Sequence, residues 1–230
     1  RALSLMSGDE QYRAWGEIEY SIRTGKKAFD KVFGEPIFDY LGDHPDKAKI
    51  FDAAMTGIHG RESNAILEAY DFSGIGVLAD IGGGNGSQIA GILKAHQQMR
   101  GILFDLPHVV DRAKTRFETE GLMDRCELVG GSFFEAFPTG RDAYVMRTIL
   151  PAWADAQSLT ILRNCHQAMS GAGKLLIVES VIPPGNEPFG GKLLDLVMLL
   201  IPGGKERTAE EYRALLAEAG FELTQIVPTT

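Results

Sequence analysis

The stretch GVLADIGGGNGSQIAGILKAHQ, residues 76–97, decides the fold. GVLADIG is a short apolar run of strand character, and SQIAGILKAHQ reads as a helix. Between them, Gly82, Gly84 and Gly86 remove side chains where the chain turns sharply. The backbone can then approach a ligand closely, and the helix start presents free N–H groups. A tight turn without a ligand is the other reading of such a loop.

The same rhythm continues downstream. RGILFDLP (100–107), CELVGGSFF (126–134), DAYVMRTIL (142–150) and GKLLIVESVI (173–182) read as strands. HVVDRAKTRFETEG (108–121), ADAQSLTILRNCHQAM (154–169) and TAEEYRALLAEAG (208–220) read as helices, and FELTQIVP (221–228) as a last strand. Strands alternating with helices of this length predict an α/β fold with a doubly wound, mostly parallel sheet. Such sheets take ligands beyond the carboxyl ends of their strands. Residues 1–75 differ: they are aromatic, charged and helix-like, with apolar steps such as Phe51, Met55 and Ile58. Gly34, Pro36, Gly42 and Pro45 punctuate these helices. The expected organisation is a helical segment over 1–75 and a nucleotide-binding domain over 76–230.

The chain has 230 residues, enough for one well-buried domain and an accessory segment. Hydrophobic residues make up 44%, and mean hydropathy is -0.06, which places the chain among soluble globular proteins. The longest apolar run, LLDLVMLLIP (193–202), contains Asp195 and falls short of the roughly 18 residues of a membrane span. No signal peptide is visible, so the expected location is cytoplasmic. A net charge of -8 and a pI near 5.2 argue against a nucleic-acid partner. Cys126 and Cys165 form no spaced metal or redox motif and read as free buried thiols.

Asp105 closes the second strand about 20 residues past the glycines, where an acid accepts hydrogen bonds from ribose hydroxyls. Taken alone it also suits a helix N-cap or a solvated strand end. A nicotinamide cofactor and S-adenosylmethionine both fit these features. The loop reads G-x-G-x-x-S, and Asp80 precedes the first glycine by two positions. That D-x-G-x-G-x-G pattern resembles the nucleotide loop of S-adenosylmethionine-dependent methyltransferases.

The resemblance covers most of the chain. LADIGGGNG, FDLPHVV, GGSFFEAFP, DAYVMRTILPAWADAQSLTILRNC, GKLLIVESVIPP, DLVMLLIPGGKERT and LLAEAGF follow in one order. It is the order of small-molecule O-methyltransferases of the plant caffeate and bacterial aromatic-polyketide type. The resemblance implies a Rossmann-like class I methyltransferase fold and methyl transfer to an aromatic hydroxyl. It also implies that residues 1–75 roof the substrate pocket. The family's winged-helix-like N-terminal dimerisation domain is not in this sequence, and only the first strand of its closing β-hairpin is. A homodimer is therefore expected by analogy alone.

The family's site residues carry over as follows. Gly82, Gly83 and Gly84 would face the methionine part of S-adenosylmethionine, and Asp105 the ribose. Ser132 and Phe133 would stand beside the adenine, with Ser132 where the family has an Asp. Arg147 stands where plant members have a Lys and would pair with the cofactor carboxylate, or else is a surface Arg at a strand end. Met55 would line the same pocket, or serve as a plain core methionine. Met146, Trp153, Asp195, Met198 and His59 would meet the acceptor.

The plant members use a His-Asp-Trp triplet as general base. Here the positions are Pro151-Ala152-Trp153, with no base. Glu179 and Glu206 fall on the family's two glutamate positions. One reading is methylation of acidic phenols, in which proximity and orientation supply most of the acceleration. A second makes Glu179 or Glu206 the base if burial raises its pKa, with His59 a further candidate. A third is a homologue that keeps the cofactor for other, hydroxylase-like chemistry, or a silent binder. A nicotinamide-dependent dehydrogenase rests on the glycine loop and Asp105 alone. No histidine spacing or carboxylate cluster suggests a metal site.

Overall fold

Strand β1 (Val77–Ile81) is buried at four of its five positions. Strand β4 (Ala143–Arg147) is buried up to its last residue. Continuous apolar runs of this kind arise when both faces of a parallel sheet are covered. The other strands are β2 (Arg100–Asp105), β3 (Cys126–Gly130) and β5 (Lys174–Val178). All pairings are parallel, in the order β3-β2-β1-β4-β5. The order reverses direction between β1 and β4, which makes their carboxyl ends the switch point of the sheet. The computed structural model describes residues 1–229 except Gly60, Arg61, Ser170 and Ala172, and only the backbone of residues 58, 59 and 62–64.

The helices before the sheet are α1 (Ala2–Gly8), α2 (Glu10–Trp15), α3 (Ile18–Thr24), α4 (Ala28–Phe33), α5 (Ile37–Asp43), α6 (Pro45–His59) and α7 (Glu62–Ala69). Those that follow β1 are α8 (Ser87–Ala95), α9 (Pro107–Thr119), α10 (Asp155–Ala168), α11 (Gly190–Leu200) and α12 (Ala209–Glu218). Two of them start with a proline, at Pro45 and Pro107, where the missing N–H is not needed. Among the described residues no helix is long and apolar enough to cross a membrane.

The chain forms two compact units. One comprises Arg1–Ile58, Leu150–Ala156 and Glu179–Ala214; the other comprises His59–Ile149, Gln157–Val178 and Leu215–Thr230. The division does not follow the 75/76 line expected from composition. Ile66 and Leu67 of α7, and Tyr70 and Phe72 after it, pack into the core of the sheet unit. That core also holds Leu78 and Val145 of the sheet, Ile89 and Leu93 of α8, and Phe117 of α9. The other unit buries Ala14, Phe29, Ile37, Leu200 and Ile201. Phe29 stacks on Phe33 at 4.5 Å and meets Tyr40 edge-on at 5.5 Å.

Residues 221–228, expected as a strand, form none. FELTQIVP has the alternating pattern, but no described strand pairs with it, and Ile226 and Val227 stay 48% and 40% exposed. A strand exists through its ladder, so pattern without a partner leaves an extended tail. Both cysteines are free and buried, and burial pushes each thiol up to about 12.

Candidate active site

The sheet unit gathers one group of residues at the strand ends. Gly82 turns the chain out of β1 with φ +66°, and its N–H donates to Phe104 O at 2.8 Å. A Cβ at Gly82 would strike Ile149, and one at Gly83 would strike Leu103 and Asp80. At Gly84, with φ +59°, nothing lies within 4 Å of that position. The inner side of the loop is thus packed against protein and its outer side is open.

Asp105, at the end of β2, accepts the Gly84 N–H on Oδ2 at 2.8 Å and the Leu106 N–H on Oδ1 at 2.7 Å. After β3, the Ser132 hydroxyl accepts the Phe134 N–H at 3.3 Å, and the Asn164 side chain donates to Phe133 O at 3.0 Å. The Phe133 ring lies 3.7 Å from the Cβ position of Gly82. The glycine loop, Asp105 and Phe133 are therefore brought together at the strand ends.

Arg147 closes β4 half-buried, and its Nη1 donates to Gln88 Oε1 at 3.3 Å. The Gln88 amide donates in turn to Asp80 Oδ1 at 3.4 Å. Asp80 is 1% exposed, and its Oδ2 has no hydrogen-bond partner among the described residues. Burial pushes its carboxyl up to about 7; the Arg147 charge and the Ile89 N–H oppose that shift, and Asp105 adds to it. Met146, expected at the acceptor, is fully buried in β4 between its partners Ile81 and Ile177.

The other unit carries the remaining residues. A short 3-10 turn, Leu150–Ala152, holds Pro151 buried. Trp153 follows, half-buried and stacked on Phe38 at 5.5 Å. Glu179 is half-buried and its Oε1 accepts the Leu150 N–H at 3.3 Å. Glu206 is 3% exposed, and its Oε2 has no hydrogen-bond partner among the described residues. Burial, and then the nearby Asp195 charge, push its carboxyl up to about 7, against the pull of Arg207. Asp195 Oδ1 accepts the Glu206 N–H at 2.8 Å. Met198, half-buried on α11, accepts the Gly203 N–H on its backbone oxygen at 2.8 Å. Met55 is half-buried on α6. The side chain of His59 lies outside the described residues.

The O-methyltransferase domain model matches residues 15–222. The chain belongs to the O-methyltransferase family. It is 45% identical to the phenazine O-methyltransferase PhzM of Lysobacter antibioticus, over all of this chain and 67% of that protein. It is 38% identical to the O-demethylpuromycin-O-methyltransferase of Streptomyces alboniger, over 93% of this chain and 58% of that one. The chain thus spans about three fifths to two thirds of these family members. The crystal structure of LaPhzM superposes with a TM-score of 0.97 at 45% identity, covering all of this chain and 69% of that one. NcsB1 of neocarzinostatin biosynthesis, solved with S-adenosyl-L-homocysteine and 1,4-dihydroxy-2-naphthoic acid, superposes at 0.87 with 33% identity, covering 94% of this chain and 64% of that one.

Three residues that hold these groups escaped sequence reading: Gln88 and Asn164 in the sheet unit, and Arg207 in the other unit. Gln88 lies one residue past the Ser of the glycine loop and looks like a surface helix position, yet it is 5% exposed. Arg207 sits in GGKERT, a run that reads as solvated, yet it is fully buried. A polar residue's burial depends on partners distant in sequence, which local spacing does not carry.

Proposed function

We propose that the chain holds S-adenosylmethionine in the sheet unit and methylates a hydroxyl of a phenolic or polycyclic aromatic molecule. The observation that carries this reading is the convergence of Gly84, Asp105 and Arg147 at the ends of β1, β2 and β4 in an O-methyltransferase family member. These residues fit the cofactor. The open side of Gly84 leaves room beside backbone N–H groups. The Asp105 carboxylate offers acceptors to a ribose diol. Arg147, held by Gln88, offers a cation to a carboxylate. Phe133 offers a ring face to adenine and Ser132 a hydroxyl. When bound, S-adenosylmethionine supplies a methyl group activated on a sulfonium.

On the acceptor side, the stacked pair Phe38–Trp153 offers an aromatic wall, with Met198 and Asp195 on α11. The names of the relatives support an aromatic acceptor. Pro151, Ala152 and Trp153 contain no group that takes a proton. Proximity and orientation then supply most of the acceleration, up to roughly 7–11 kcal/mol. Glu206, its carboxyl pushed up to about 7 by burial, or Glu179 receives the phenolic proton. Glu179 serves the corner through the Leu150 N–H. By analogy with the family, the assembly is a homodimer.

The test is product mass spectrometry with S-adenosylmethionine and a panel of phenols that includes 1,4-dihydroxy-2-naphthoic acid. A methyl-sized gain is expected. An oxygen-sized gain, or no turnover across the panel, overturns the reading.

A further inference from the structure

We infer that Arg207 is a positioning residue for the acceptor side: its buried guanidinium sets where the 150–153 corner, and with it Trp153, stands. The inference rests on the acceptor role proposed above for Trp153.

The corner leaves the sheet at β4, makes one tight turn closed by the Trp153 N–H donating to Leu150 O at 3.1 Å, and enters α10 at Asp155. Arg207 grips this turn from a distant segment. Its Nη1 donates to Leu150 O at 3.0 Å and Lys205 O at 3.3 Å. Its Nη2 donates to Trp153 O at 3.1 Å and to Asp155 Oδ1 at 2.8 Å. Its Nε reaches the same Asp155 oxygen at 3.2 Å. The planar fork thus grips carbonyls on both sides of Pro151-Ala152. A lysine, with one ammonium on a flexible stem, cannot span them in the same way.

The burial is asymmetric. Arg207 is 0% exposed, whereas the side chain of Asp155 is 54% exposed. Burying a guanidinium is costly unless its donors are matched, and here they are matched by the carbonyls of Leu150, Trp153 and Lys205 and by Asp155 Oδ1. The opposite side of the corner is fixed by Gly204. A Cβ there would run into Pro151 O, the Trp153 N and the Ala152 carbonyl carbon, and none of these backbone atoms can swing aside.

The backbone of Arg207 is anchored as well. It bridges Val181, and its oxygen accepts the Ile182 N–H at 3.0 Å. Glu206, the preceding residue, donates its N–H to Asp195, and Glu179 holds the Leu150 N–H. One residue therefore ties together the segments carrying Trp153, Glu179 and Glu206. A displaced corner moves the aromatic wall while leaving the glycine loop and Asp105 unaltered.

The test compares Arg207→Lys and Gly204→Ala with the parent in a Trp15→Phe background, where Trp153 is the remaining tryptophan. Three quantities are read: acrylamide quenching of Trp153, the Kd for S-adenosylmethionine, and the KM for 1,4-dihydroxy-2-naphthoic acid. The expected result is stronger quenching and a KM raised about tenfold or more, with the cofactor Kd unchanged. Gly204→Ala presses on the same corner with the Arg207 guanidinium intact, so it reproduces the pattern even where Arg207→Lys fails to fold. Unchanged quenching in a folded variant, or a cofactor Kd that moves in step with the KM, overturns the inference. Quenching needs no turnover, so a failure of the methylation reading is seen separately.

Discussion

Glu206 is where the residue chemistry is most exposed to measurement. Its carboxyl is raised from 4.5 to about 7 by burial and by the Asp195 charge. A raised pKa in the folded state means that the native chain holds a proton which the unfolded chain has released. The stability it contributes is full below about pH 4.5 and is lost as pH rises to about 7. Asp80 moves in the same sense, from 3.8 to about 7. The wild-type urea midpoint is therefore expected to fall between pH 5 and pH 8. Glu206→Gln, a neutral mimic of the protonated acid, removes about 2 kcal/mol of that fall and leaves the share of Asp80. An unchanged slope in the variant would show that Glu206 is already ionised at pH 5. At this scale the sequence told part of the story. Asp105 was legible because a strand-end acid at a set distance from a glycine turn has one common use. Gln88 and Arg207 were not, since each is defined by partners from 50 to 60 positions away: Arg147 for the first, Leu150 and Trp153 for the second.

The turn between β1 and α8 divides its glycines by task. Gly82 and Gly83 have protein atoms where a side chain would stand, and Gly84 has open space. Gly84→Ala therefore meets no clash and is expected to destabilise the fold by only about 1–2 kcal/mol, the cost of a left-handed residue with a Cβ. The same methyl group projects toward the proposed cofactor, so affinity for S-adenosylmethionine is expected to fall about tenfold or more, at 1.4 kcal/mol per decade. Thermal unfolding and calorimetry on one sample separate the two effects. A loss of stability with intact affinity would place the cofactor elsewhere. Five strands were visible as apolar runs, and for β1, β2 and β4 the reason is that a strand buried on both faces carries its signal in composition. Each run overshot the observed strand, as in GKLLIVESVI against Lys174–Val178, because apolar character continues past the last ladder bond. FELTQIVP misled for the converse reason: alternation specifies a face and says nothing of a partner.

For the molecule as a whole, the strand–helix order and the motif series gave the fold class and the family, and both agree with the structure and with the O-methyltransferase domain match over residues 15–222. The division into units was not legible. Residues 150–156 and 179–214 leave the strands at β4 and β5 yet group with the N-terminal helices, and nothing in their composition marks the change. The acidic balance, -8 overall, agrees with a small-molecule partner rather than a phosphate backbone. The central claim is that the sheet unit binds S-adenosylmethionine through Asp105 and Arg147. Isothermal titration of the folded chain with S-adenosylmethionine tests it most directly, with Asp105→Asn and Arg147→Gln alongside. A single site is expected, weakened in both variants. A chain that is folded by circular dichroism and releases no heat, or variants that bind as tightly as the parent, would contradict it.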